Sequence, residues 1–145
     1  MKIGIDIHGV IDKDPEFFAA FTKELRKEGH SVHILTGHEL NNRLIKEINN
    51  YGVEYDSLFS ITTYQKGKGA HVTYADDEKM MPLVAPPKWD RSKGEYAMLV
   101  GLDIHIDDSK VYGRYFPRTT QYLMYTEEIR KFLMILFGMN PKQGE

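Results

Sequence analysis

The chain has 145 residues, 41% hydrophobic and 28% charged, which is ordinary globular composition and enough for one domain with a real core. A formal charge of −2 and a pI near 6.3 supply no broad basic field, which argues against duplex DNA as a partner. There is no cysteine, so a disulfide framework and a thiolate zinc site are excluded, and the longest apolar run, near Phe132 to Phe137, is too short to span a bilayer.

A strand-like run begins at residue 3, where a secretory signal would otherwise lie, so the chain reads as cytoplasmic. Ile3 and Ile5 are β-branched, and the run ends in Asp6, His8 and Gly9, the pattern of a central parallel strand delivering a carboxylate to its carboxyl end. In an open α/β sheet ligands gather beyond those ends. Asp6 and His8 are two apart and share a face in extended backbone, and Gly9 lets the chain turn beside them. Asp14-Pro15-Glu16 reads as a helix start with Asp14 able to cap, followed by an apolar face of Phe17, Phe18, Phe21 and Leu25 and a stop at Gly29. Little chain separates the motif from this helix, which leaves no room for a lid domain. Ser31 to Leu35 is a second strand ending in Thr36-Gly37-His38, where a hydroxyl and backbone amides meet; the alternative is that Thr36 caps the next helix. That helix carries Leu40, Leu44, Ile48 and Tyr51 and closes at Gly52, and Ser57 to Thr62 is the third strand.

Residues 63–92 read as a small insertion, with a turn at Lys66-Gly67-Lys68-Gly69, a short strand at Val72 to Tyr74, and Pro82, Pro86 and Pro87 breaking any long element. Asp76-Asp77-Glu78 reads as a solvated surface, and Trp89 as core packing or as a platform for a substrate ring. A helix from Arg91 or Ser92 to Val100 is expected to bury Tyr96, Met98 and Leu99 and to project Lys93 toward the carboxyl ends of the strands. Ile104-His105-Ile106 is a fourth strand ending in Asp107-Asp108-Ser109. Adjacent carboxylates there repel unless a cation compensates them, so a magnesium-type oxygen site is one reading and an Asx turn the other. Gln121 to Tyr125 gives a fifth strand, and Thr126-Glu127-Glu128 caps a last helix that covers the sheet with Ile129, Phe132, Leu133, Leu136 and Phe137. Met134, Phe137 and Met139 leave apolar surface that a homo-oligomer could use, and Pro141 to Glu145 is a polar tail. The alternation of strands and helices predicts an α/β fold with a mainly parallel five-stranded sheet. His30, His33, His71 and His105 have no ligand spacing and read as structural or surface, while His38 lies where it could touch substrate.

Strand-Asp6-Ile7-His8-Gly9-Val10, Thr36 after the second strand, a lysine before the fourth and Asp107-Asp108 after it resemble, in order, the four motifs of the haloacid dehalogenase superfamily of phosphatases. The resemblance covers residues 3 to 109 and implies a capless or minimally capped member with a Rossmann-like three-layer sandwich. It departs at position 8, where the family usually has a second Asp. It implies a magnesium-dependent phosphohydrolase acting on a phosphomonoester through an aspartyl-phosphate, with Asp6 as nucleophile and His8 at the acid/base position. Thr36, Gly37 and His38 would hold the phosphoryl group. Lys93, with Lys88 and Arg91 as rivals, would neutralise charge. Magnesium would lie on Asp6, the His8 carbonyl and Asp108, with Asp107 direct or through water. A phosphorylated small molecule, nucleotide or macromolecule would be the substrate. The alternatives are a catalytically weak binding or regulatory protein and a phosphotransferase, and His8 is the residue that separates them.

Overall fold

The computed structural model describes residues 1–75, 79–83 and 86–140. Among them the order is β1 (Lys2–Asp6), α1 (Pro15–Lys27), β2 (Ser31–Thr36), α2 (Asn42–Tyr51), β3 (Ser57–Ser60), α3 (Ile61–Gly67), β4 (His71–Ala75), β5 (Lys79–Leu83), α4 (Pro86–Val100), β6 (Ile104–Asp107), β7 (Gln121–Met124) and α5 (Glu127–Leu136). Five strands form one all-parallel sheet in the order β3-β2-β1-β6-β7, and β4 and β5 form a separate antiparallel pair. This is a Rossmann-like three-layer fold. The chain leaves β1 on one side for β2 and returns on the other for β6, so the sheet's topological switch lies between β1 and β6.

Strand alternation sorts the side chains. Ile3 and Ile5 of β1, Val32 and Ile34 of β2 and Ile104 and Ile106 of β6 join Phe17, Phe18, Phe21, Leu44, Ile48 and Leu133 from α1, α2 and α5 in the larger core. On the opposite face Leu35, Phe59 and Leu102 meet Ile61 of α3 and Ala97 of α4 in a smaller one.

Several boundaries differ from the sequence expectation. Asp14 occupies the N-cap position of α1, but its carboxylate accepts from Tyr125 Oη (2.8 Å) and pairs with Arg130 (3.2 Å), so no side-chain cap forms. Helix α2 starts at Asn42 with Asn41 capping Leu44 N–H, which leaves Leu40 exposed outside it. Strand β3 stops at Ser60, whose hydroxyl caps α3, so Ile61 and Thr62 are helical. Pro82 lies within β5, and Pro86 and Pro87 open α4 five or so residues before the expected start, in the first turn where proline is tolerated.

Helix α4 also has a different inward face. Met98 and Leu99 are 68% and 83% exposed, whereas Ser92, Lys93, Gly94 and Ala97 are buried. Gly94 is required there, because a Cβ would lie 2.2 Å from the Tyr115 carbonyl oxygen. In α5, Leu133 and Met134 are buried, whereas Phe132 and Leu136, expected to cover the sheet, are exposed beside Ile135. Met139 is buried and Phe137 packs partly buried on the core, so the apolar surface expected from Met134, Phe137 and Met139 is instead made by Phe132, Ile135 and Leu136. Among the described residues no helix is long and apolar enough to cross a membrane. Asp76, Asp77, Glu78 and the tail from Pro141 lie outside the described residues.

Candidate functional site

Strands β1 and β6 end side by side with Asp6 and Asp107 on the same face as Lys93 of α4. Lys93 Nζ donates to Asp6 Oδ1 at 2.9 Å and to Asp107 Oδ2 at 2.8 Å, and its side chain is almost fully buried. Of the three candidate cations it alone is buried; Lys88 and Arg91 are exposed, and Arg91 Nε donates back to the Pro87 carbonyl. The sequence therefore folds α4 with a polar stripe inward because the lysine has two carboxylates to meet. A buried ammonium without such partners would be costly.

The two carboxylates are held differently. Asp107 Oδ2 accepts from Lys93 and from His105 Nε2 (2.9 Å), and Oδ1 accepts the backbone N–H groups of Asp108 (2.8 Å) and Ser109 (3.1 Å). Burial raises its pKa, but the His105 hydrogen bond and the Lys93 charge outweigh this and hold it well below the usual carboxylate range. Asp6 has Lys93 on one oxygen, and among the described residues no hydrogen bond reaches the other. Burial pushes its pKa from 3.8 up to about 7, with Lys93 opposing and Asp107 adding to the rise. Lys93 itself is drawn down by burial and, more strongly, up by Asp6 and Asp107, so it stays charged. The fold thus makes Asp107 a saturated anchor and leaves Asp6 with one uncommitted oxygen.

Asp108 is exposed and lies against Gly9, where a Cβ would come 1.9 Å from Asp108 Oδ2 and where φ is +93°. The positive φ is what favours glycine, and any Cβ would also have to push the Asp108 carboxylate aside. Asp6, Asp107 and Asp108 each offer a carboxylate oxygen, all within 4.8 Å of one another, in a group that could hold a metal ion. Three carboxylates outnumber the one lysine that pairs with two of them, and their hard oxygens suit a hard cation. Asp107's four hydrogen bonds favour Asp6 and Asp108 for direct contact.

Thr36 is buried at the end of β2, beside the end of β1, and its Oγ1 accepts from His38 N–H at 3.2 Å. It does not cap α2; Asn41 does. Thr62 Oγ1 donates to the Gly37 carbonyl at 2.6 Å, and the Trp89 ring packs on Gly37, where a Cβ would lie 3.0 Å away. Trp89 Nε1 donates to Tyr112 Oη (2.9 Å), and Lys93 Nζ lies 4.9 Å from the centre of the Tyr112 ring. His38 is exposed and stacks on His8.

Two partners were not legible as such in the sequence. His105 is fully buried, stacked on Phe116 and bonded to Asp107, and burial lowers its pKa so that it donates as a neutral ring. Its parity with Asp107 on β6 was the available signal. Glu47 of α2 accepts from His8 Nε2 at 2.8 Å, a contact between distant segments that no local pattern marks.

No protein-family model matches the chain, and neither does any curated protein.

Proposed function

We propose that the protein is a magnesium-dependent phosphohydrolase that acts on a phosphomonoester through an aspartyl-phosphate on Asp6. The observation that carries this reading is the buried Lys93 bridge, which neutralises Asp6 Oδ1 and Asp107 while leaving the second Asp6 oxygen uncommitted at the topological switch of the sheet.

In the first half-reaction Asp6 Oδ2 attacks phosphorus, the bond from phosphorus to the substrate oxygen breaks, and that oxygen leaves with a proton from His8. In the second, water attacks phosphorus, its proton goes to His8, and the bond to Asp6 breaks to release phosphate and the carboxylate. Lys93 holds charge on Asp6 and on the bound phosphoryl oxygens, and the Thr36-Gly37-His38 turn supplies a hydroxyl and amides for those oxygens. Asp6, Asp108 and the His8 carbonyl would hold magnesium, with Asp107 behind them; when bound, it supplies electrostatic stabilisation of the transferring phosphoryl group.

A binding or regulatory protein is the second reading, favoured by one observation: His8 Nε2 is already engaged by Glu47. Asp6→Asn separates the two. The amide keeps size and a weak oxygen ligand but cannot form the acyl phosphate. Turnover of p-nitrophenyl phosphate in magnesium should fall by about 10⁴-fold or more, with the fold retained. If Asp6→Asn keeps most of a purified magnesium-dependent activity, Asp6 is not the nucleophile.

A further inference from the structure

Helix α2 reaches the site through Glu47. Its Oε2 lies 2.8 Å from His8 Nε2, with the two side chains 32% and 35% exposed, His8 first. The His8 ring is stacked on His38, centroids 4.0 Å apart and planes at 24°. Tyr51, one turn further along α2, lies near enough that Glu47, after burial, pushes its phenol pKa up. The imidazole is therefore held at one edge by a carboxylate from α2 and on one face by a ring from the β2–α2 connection.

A partly exposed contact of this kind contributes little to stability. Its effect is directional instead. A ring nitrogen that faces a carboxylate carries the proton, which fixes the tautomer and the orientation of the other nitrogen. The contact is also matched to the residue at position 8: a carboxylate there would be repelled by Glu47 at this distance.

We propose that Glu47 is a positioning residue that locks His8 as the Nε2–H tautomer in one ring orientation, leaving Nδ1 as its working nitrogen. The kinetic consequence rests on the phosphohydrolase reading; the structural one does not.

Nitrogen-15 NMR of the histidine-labelled full chain, at a pH well above the imidazole range and with the His8 signals assigned by His8→Asp, tests the lock directly. Wild type and Glu47→Gln, whose amide oxygen still accepts, should show His8 almost wholly as Nε2–H. Glu47→Ala should relax toward the two-tautomer mixture of a free imidazole. With p-nitrophenyl phosphate and magnesium, Glu47→Ala should lower kcat by about tenfold, in the range of lost supporting contacts to a functional histidine, with KM little changed and Glu47→Gln close to wild type. In the His8→Asp background the sign should reverse, and Glu47→Ala should raise kcat. An unchanged tautomer in Glu47→Ala, equal losses for Ala and Gln, or a loss of kcat in the His8→Asp background would each overturn the proposal. A tautomer that responds as expected in a protein without turnover keeps the positioning role and removes the phosphohydrolase reading.

Discussion

The two faces of the central sheet are built from the same strands yet bury opposite chemistry. Toward α1, α2 and α5, the strands present Ile3, Ile5, Val32, Ile34, Ile104 and Ile106 to stacked phenylalanines. Toward α4, the intervening positions are Gly4, Asp6, His105 and Asp107, and the helix answers with Lys93. Area removed from water stabilises the first face at roughly 25 cal/mol per Å². The second is held by geometry, because a buried charge network is favourable only while every partner is present. The difference teaches where to look for chemistry: the face with the poorer apolar core carries the polar constellation.

The largest expected effects come from one truncation on each face. Phe21→Ala opens the apolar core and should cost about 3–5 kcal/mol in urea unfolding, while activity per folded molecule survives. Lys93→Met removes one member of the buried network and should cost a comparable 3–5 kcal/mol, and activity should vanish with it. If Lys93→Met were as stable as wild type, the lysine would not be compensating two carboxylates.

Next in size is a pH effect that divides the two carboxylates. The folded-state pKa of Asp6 rises from 3.8 to about 7, so between those values the folded state holds a proton that the unfolded chain has lost. Stability from this group therefore falls as pH rises through that window, and the deficit is complete above about pH 7. Asp107 has the opposite sign: its depressed pKa adds stability above the ordinary carboxylate range, lost as the solution turns acid. Asp6→Asn should thus gain on wild type between pH 5 and pH 8 in EDTA, by on the order of a few kcal/mol. Parallel stability profiles for the two proteins would remove this account of Asp6.

Magnesium should sharpen the contrast from the ligand side. Bound only by the folded state, it should stabilise the wild type by about 2.7 kcal/mol at a concentration a hundredfold above its dissociation constant. Asp108→Asn should reduce that gain; Phe21→Ala should not. A melting temperature unmoved by millimolar magnesium would count against the acidic cluster as a cation site.

How much of this could be read in the sequence follows the same division. The apolar face is periodic, and periodicity gave β1, β2, β6, α1 and the parallel sheet. Asp6, Thr36 and Asp107 stand at strands' carboxyl ends, which the pattern marked; Lys93 was expected in a helix start and lies midway along α4 instead, yet it meets Asp6 and Asp107. What periodicity could not show was α4. Its inward stripe of Ser92, Lys93 and Ala97 inverts the usual apolar rule, so a pattern reading turned Met98 and Leu99 inward when they face outward. Glu47 was hidden for another reason: its contact with His8 joins residues 39 apart, and tertiary packing alone brings them together.

The smallest expected effect sets two neighbouring residues of one strand against each other. Gly4 and Ile5 are adjacent on β1 and face opposite sides. A Cβ on Gly4 would lie 2.6 Å from His105 Nδ1 and 2.8 Å from Leu102 Cδ1. Alanine limits the unfolded chain more than glycine does, which by itself would favour folding by about 0.4–1 kcal/mol. The clash opposes this, and overpacking costs about 1–3 kcal/mol. His105 can yield only by giving up contacts, because its ring is stacked 4.8 Å from Phe116 and its Nε2 is bonded to Asp107. Gly4→Ala should therefore lose about 1–2 kcal/mol and weaken magnesium binding as His105 is pushed off Asp107. Ile5→Val, one residue away, should lose a similar 0.5–1.5 kcal/mol, roughly the cost of one buried methylene, with the magnesium midpoint unchanged. Equal magnesium midpoints for the two variants would show that His105 does not support Asp107, and the division of the sheet into a stabilising face and a working face would fail at its smallest scale.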